Sequence, residues 1–376
     1  MNERLSLKTR GYSPELDGLR GVAIGLVLIV HYLPNITKVS PDSSWWWPLR
    51  VLSACWSGVD LFFVLSGYLI GGILEDNRDA MNYFRVFYWR RACRILPIYF
   101  LTLVGVVVIP SVFQERVRDT MLLVDPLPFW SYLFFVQNLV MAVQGQFGGW
   151  IVTWSLAVEE QFYVFLPLVV RFGRGWLIAV LSGGCLAAPF FRLMLPNPVA
   201  AYVLPIARAD SLFLGVLLAL LMRERPVAAV KLGSFPGLVP ILLGGCFTIA
   251  LIEPSFDKEP MRSLGTSLFA LTYAAILLRS QVTQGGATNR ILRIKFLGWL
   301  GRRAYFVYLT HFTVLVVVHG LVSKQDPRNR TPEDFAVTVL ALAVTLLAAE
   351  VSWRLIEAPA IRAGHRVAYS FAKTSH

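Results

Sequence analysis

Three groups of polar side chains interrupt an otherwise apolar chain, and their spacing sets the chemistry they could perform. In LDGLRGVAIGLVLIVHY, Arg20 and His31 are eleven residues apart. That is close to three helical turns, so on a helix they share a face and lie about 16 Å apart along the axis. An imidazole titrates near neutrality and suits the removal of a hydroxyl proton as a general base; the alternative for His31 is a buried ring bonded to a neighbouring helix. In WSLAVEEQFY, Glu159 shares a face with Ser155 and Tyr163, four residues to either side, whereas Glu160 falls in line with Leu156 and Val164. A carboxylate at Glu159 could hold an imidazole in one tautomer; alternatively it neutralises a structural arginine such as Arg208. In FYWRRACRILPIYF, Arg91 and Arg94 are three apart and face the same way beside Tyr88 and Trp89. Two planar guanidinium forks suit phosphate oxygens, although such a pair also serves as a positive anchor at a membrane surface. Asp60, Asp210 with Arg208, His311, His319 and Glu357 read as structural pairs.

The elements that carry these groups follow from composition. Of 376 residues, 56% are apolar and 15% charged, against about 25% charged in an ordinary soluble domain. The apolar surplus has to face lipid, which excludes disorder and argues against a soluble globule. The net charge of +12 would suggest nucleic acid in a soluble protein; here it reads as arginines on cytoplasmic loops, and no nucleic-acid partner is expected. Cys55, Cys93, Cys185 and Cys246 form no C-x-x-C pair, so they read as packing residues and no metal site is expected. The first twenty residues are polar and no cleavable leader is visible.

Runs long enough to cross a bilayer fall at about 18–37, 53–74, 95–112, 154–171, 175–193, 203–222, 235–253, 262–280, 298–321 and 335–356. The piece at 127–147 opens with Pro128 and is broken by Gln137 and Asn138, and reads as a re-entrant or interfacial segment. Ten crossings place twenty-three of the 35 Lys and Arg on the side of the termini and eleven on the other, with Arg354 inside the last helix. The positive-inside rule then sets both termini in the cytoplasm. The expected fold is all-α: a polytopic membrane helix bundle forming one domain over 1–376, with a helical core of about 18–357 and short cytoplasmic tails at 1–17 and 358–376. Gly58, Gly67, Gly71 and Gly72 suit close helix packing.

The segments ELDGLRGVAIGLVLIVHY, WSGVDLFFVLSGYLIGGIL, FYWRRACRILPIYF, WSLAVEEQFYVFLPL, RADSLFLGVLLA, YFVYLTHF and RLIEAP together resemble the acyltransferase type 3 family of bacterial integral-membrane acyltransferases. One such segment says little; seven in family order cover nearly the whole chain. The resemblance implies that Arg20 and His31 are the family's R-x10-H motif, Arg91 and Arg94 its R-x-x-R motif, and Glu159 its membrane glutamate. It implies O-acylation of a cell-envelope carbohydrate or a natural product at the bacterial inner membrane. Many relatives continue into a periplasmic SGNH-hydrolase-like domain; none follows here, so acceptor chemistry is expected in the membrane domain or on a separate partner.

The expected activity is therefore transfer of an acyl group, acetyl first, from acetyl-CoA or another acyl-CoA to a hydroxyl of a carbohydrate or glycolipid, a macrolide sugar included. The CoA phosphates would rest on Arg91, Arg94 and Arg20, His31 would be the base or briefly carry the acyl group, and Glu159 would orient its ring. The rival reading is a transporter or flippase for a lipid-linked sugar, which leaves the arginine pair without a task.

Overall fold

A computed structural model describes residues 13–112, 127–283 and 285–372. Arg4, Lys8, Arg10, Arg116, Arg118 and Lys373, which entered the charge count, lie outside them, as does most of the segment 1–17. Among the described residues all regular structure is helical, with no strand. In chain order the helices are α1 (Pro14–Tyr32), α2 (Trp46–Ser53), α3 (Gly58–Asp76), α4 (Tyr83–Val112), α5 (Phe129–Leu133), α6 (Gln137–Gln144), α7 (Trp154–Phe172), α8 (Leu177–Met194), α9 (Pro198–Val203), α10 (Ala209–Glu224), α11 (Pro226–Ser234), α12 (Leu238–Ile252), α13 (Thr266–Val282), α14 (Ala287–Leu292), α15 (Lys295–Arg302), α16 (Ala304–Ser323), α17 (Pro332–Ser352) and α18 (Ala358–His365).

Each of the ten expected crossings coincides with a helix or a bent pair. Among the described residues seven helices are long and apolar enough to cross a membrane, and an eighth counts if α11 and α12, bent by 58° to one another, form one span. The two left over are α1 and α7. Each is 19 residues long, and each carries three charged groups: Glu15, Asp17 and Arg20 in α1, and Glu159, Glu160 and Arg171 in α7. Two of the helices that hold candidate chemistry thus depart from a plain apolar span, as expected where ionisable groups sit at membrane depth for a purpose, while α4, with Arg91 and Arg94 near its start, still qualifies. The segment 127–147 becomes α5 and α6, too short to cross. The residues that broke its apolar run tie it down: Gln137 donates to the Thr153 carbonyl at 2.9 Å, and Gln161 donates to Asn138 at 2.9 Å.

Helix starts follow local rules. Pro14 opens α1 with Glu15 and Asp17 in its first turn, where a missing N–H costs nothing and acids complement the helix dipole. Thr331 caps α17 by accepting from the Asp334 N–H. The expected core of 18–357 is extended at both ends: helix begins at Pro14 and α18 continues to His365. The polar segment after 357 folds back because Arg90 donates to the Val367 carbonyl at 2.9 Å and the Met81 N–H donates to that of Ser370 at 2.8 Å.

Two backbone contacts fix the scaffold of the site. A Cβ on Gly301 would stand 1.8 Å from the Asp17 carbonyl oxygen, and one on Gly21 would stand 2.1 Å from that of Leu297. Glycine is therefore what lets α15 lie directly against the first turns of α1. In the same way, a Cβ on Gly67 would meet the Leu212 carbonyl oxygen at 2.0 Å and one on Gly215 that of Val64 at 2.2 Å, which seats α3 on α10.

The buried charges away from these contacts pair differently from expectation. Arg208 binds Asp60 at 3.1 Å, while Asp210 binds Arg192 at 2.9 Å, all four side chains being no more than 2% exposed. Arg208 is thus neutralised by Asp60, and Glu159 is free of that duty.

Candidate active site

α1, α3, α4, α7, α16 and the turn Trp353–Glu357 surround a cavity of about 190 Å³. Four arginines line it: Arg20, Arg91, Arg94 and Arg302. Two of them are held by one acid, since Asp17 accepts from Arg20 at 3.0 Å and lies 3.6 Å from Arg302. The close seating of α15 on α1 makes that sharing possible. Arg91 and Arg94 are half-buried, and among the described residues neither has an ion pair or a hydrogen bond; Arg91 lies over the Tyr163 ring at 5.7 Å. A half-buried guanidinium without an acceptor is unfavourable in the resting protein and becomes favourable once an anion arrives.

Glu159 lines the same cavity. Its Oε2 accepts from Tyr163 Oη at 3.0 Å, and Tyr163 in turn shares a 2.5 Å bond with Ser66 on α3. The polar stripe of Ser155, Glu159 and Tyr163 is therefore real, with Ser155 bonded to Tyr308 of α16 at 2.6 Å. The expectation that Glu159 bonds His31 and orients its ring does not match this geometry: its partner is Tyr163, one helical turn further along its own helix. Glu160 lies off the cavity, with one carboxylate oxygen buried and unpartnered.

His31 lies beyond the cavity rather than on its wall. Tyr308 lines the cavity, and its ring centroid is 6.1 Å from that of His311. His311 stands 4.9 Å from His31, edge to face. His31 Nδ1 lies 2.8 Å from the Val27 carbonyl oxygen. Arg20, Arg91, Arg94 and Glu159 thus gather at one place, and His31 sits about three helical turns up α1 from Arg20. Among the described residues no cluster of three His, Cys, Asp or Glu side chains could hold a metal ion.

Three lining residues escaped the sequence reading as site residues, Arg302, Tyr305 and Tyr308, and Glu357, read there as part of a structural pair, lines the cavity as well. Tyr305, Tyr308 and His311 recur every three residues in YFVYLTHF, a spacing that brings them to one side of α16. Glu357 reaches the cavity through a π-helical turn, Trp353–Glu357, which no spacing rule for α-helices anticipates.

A model of the acyltransferase domain matches residues 13–350. The chain belongs to the acyltransferase type 3 family. The match takes in α1 to all but the end of α17, and with them Arg20, His31, Arg91, Arg94 and Glu159. The chain is 29% identical to a putative peptidoglycan O-acetyltransferase of Bacillus subtilis over 375 residues, covering 94% of this chain and 56% of that protein. It is 28% identical to the peptidoglycan O-acetyltransferase OatA of Listeria monocytogenes, covering 95% and 57%. It is also 28% identical to a putative O-acetyltransferase of Staphylococcus aureus, covering 94% and 58%. The chain therefore spans a little over half the length of these relatives. No solved structure matches it.

Proposed function

We propose that this acyltransferase moves an acetyl group from cytoplasmic acetyl-CoA to a carbohydrate hydroxyl on or near the extracytoplasmic face of a bacterial inner membrane, with both termini in the cytoplasm. The observation that carries the donor is the pair of unpartnered guanidiniums, Arg91 and Arg94, on a cavity that Arg20 and Arg302 also line. A polyanionic head such as the diphosphate and phosphate of CoA supplies the acceptors this pair lacks. The family and the carbohydrate-acting relatives support the transfer and the class of acceptor; the excess of Lys and Arg on one side of ten crossings supports the orientation.

With the phosphates at the arginine cavity, the pantetheine arm runs along α1 past Tyr308 toward His31. The acceptor hydroxyl approaches from the other side. His31 Nε2 takes the hydroxyl proton as the oxygen forms its bond to the thioester carbonyl carbon. The carbon–sulfur bond then breaks, and the thiolate leaves with the proton returned from the imidazolium. Holding the two reactants in register supplies rate in its own right. Glu159, bonded to Tyr163, serves the arginine end as a counter-charge and keeps the Tyr163 ring under Arg91. In the alternative course, Nε2 itself attacks the thioester and carries the acetyl group before the hydroxyl takes it.

The purified full chain should bind acetyl-CoA by calorimetry and release CoA from it. Absence of both would end this reading. Labelled acetyl-CoA in a single turnover without acceptor separates the two courses, because only the second leaves label on the protein.

A further inference from the structure

His31 and His311 are two of five histidines, 280 residues apart in sequence, and their rings meet. His311 is fully buried. Its Nδ1 lies 2.8 Å from the Tyr308 carbonyl oxygen and 3.1 Å from that of Val307. Carbonyl oxygens only accept, so Nδ1 of His311 carries a proton, and in the neutral ring Nε2 is left as a lone pair. That lone pair is 3.4 Å from His31 Nδ1. His31 Nδ1 is independently a donor, because its other neighbour is the Val27 carbonyl oxygen at 2.8 Å. Two separate sets of carbonyls thus lead to one proton pattern: the His31 Nδ1 proton is shared between Val27 and His311, and among the described residues its Nε2 lone pair has no hydrogen-bond partner. The shared bond to His311 is the long branch, and its acceptor is itself tethered. Tyr32, the next residue on α1, donates to the His311 carbonyl oxygen at 3.0 Å and also bonds Thr345 of α17 at 3.3 Å.

We infer that His311 is the positioning residue of this site: by accepting from Nδ1 of His31 it fixes that ring's tautomer and orientation, so that the Nε2 lone pair faces the acceptor hydroxyl. This rests on the reading of His31 as the base. When Nε2 takes the proton, the imidazolium keeps both acceptors for Nδ1–H and needs no rearrangement. His311 itself gains and loses no proton. It does for His31 what a carboxylate does in a hydrolase triad, with a neutral acceptor, in a place where an unpaired carboxylate would be costly.

Nitrogen-15 NMR of the histidine-labelled full chain in lipid nanodiscs, with signals assigned by substituting each histidine in turn, tests the arrangement without requiring activity. His31 should be neutral with its proton on Nδ1. In His311→Leu the His31 Nδ1 signal should shift and broaden as the ring loses its second acceptor, and in His311→Gln, whose side-chain oxygen still accepts, it should stay near the wild-type position. In acetyl-CoA turnover, His311→Leu should lower kcat about tenfold or more with KM for acetyl-CoA unchanged, and His311→Gln should recover a good part of it. A proton on Nε2 of His31 in the unsubstituted protein overturns the proposal. So does an unmoved His31 signal in His311→Leu, and if that variant does not fold, the unsubstituted protein and His311→Gln still decide. Loss of activity in His31→Ala together with wild-type kcat in His311→Leu would refute the positioning role while leaving the base in place; full activity in His31→Ala would refute the base itself.

Discussion

Arg94→Ala is the sharpest perturbation of the donor site, because the structure separates its binding cost from its folding cost. Arg94 forms no ion pair, hydrogen bond or ring contact among the described residues, so its removal strands no hydrogen-bond partner, and Glu159 keeps Arg20 and Arg91 on the same cavity. Breaking the Arg208–Asp60 pair, held at 3.1 Å with both side chains 1% exposed, would by contrast leave an uncompensated buried charge and cost about 3–5 kcal/mol. Arg94→Ala should therefore leave thermal stability near wild type, where Arg208→Ala should not. On the binding side, a guanidinium bonded to phosphate is worth about 1.5–3 kcal/mol, so the affinity for acetyl-CoA should fall roughly 10- to 150-fold. Arg91→Ala should lose a similar amount, plus the contribution of its contact with Tyr163. Calorimetry with acetyl-CoA, and with free CoA to exclude the acetyl group as the source, reads this directly. Raising the salt should weaken wild-type binding more than that of the double variant, since ions screen what the arginines supply. Unchanged Kd in both single variants would refute the reasoning and leave the pair as an anchor at the membrane surface.

Three further outcomes follow from the same geometry. His31→Ala removes a ring whose Nε2 has no hydrogen-bond partner among the described residues, so acyl transfer should vanish in a turnover assay while donor affinity and melting temperature stay near wild type. Glu159→Gln should cut kcat/KM at least tenfold, about 1.4 kcal/mol, because the cavity loses its counter-charge, whereas Glu160→Gln, off the cavity wall, should be mild; the reverse order in paired assays would mean that the wrong carboxylate has been placed at the arginines. Gly67→Val forces a side chain into a space where even a Cβ meets the Leu212 carbonyl oxygen at 2.0 Å, so the α3–α10 seam must open at a cost of about 3 kcal/mol or more, seen as loss of a monodisperse peak in detergent.

Helical spacing made part of this site legible and hid the rest for a definite reason. Arg91 with Arg94, and Ser155 with Glu159 and Tyr163, are relations within one helix, and the 3.6-residue period fixes which face they share. Which helices then meet is a matter of packing between distant segments. That Arg302 joins Arg20 through Asp17 depends on Gly301 and Gly21 letting α15 touch α1, and no local pattern shows it. The same holds for His31: its depth in α1 was readable, but its partner proved to be His311 on α16 and not Glu159 on α7. The pairing of Arg208 with Asp60 and of Arg192 with Asp210 failed in the same way, because neighbours in sequence, Arg208 and Asp210, point to different helices.

Those limits also say why charge and apolarity divide the chain as they do. Bilayer crossing selects for runs without charge, yet a catalyst working on a polyanionic donor must put cations and a base at the same depth. Among the described residues the chain meets both demands by keeping long apolar windows in seven helices and placing the charged groups of the cavity on α1, α7, α15 and the first turns of α4. Several exceptions to the apolar pattern have their own partner: Asp17 for Arg20, Tyr163 for Glu159, Val27 and His311 for His31. Among the described residues Arg91 and Arg94, both on the cavity wall, have no hydrogen-bond acceptor, which is what the proposed function expects of a site whose missing half arrives with the substrate.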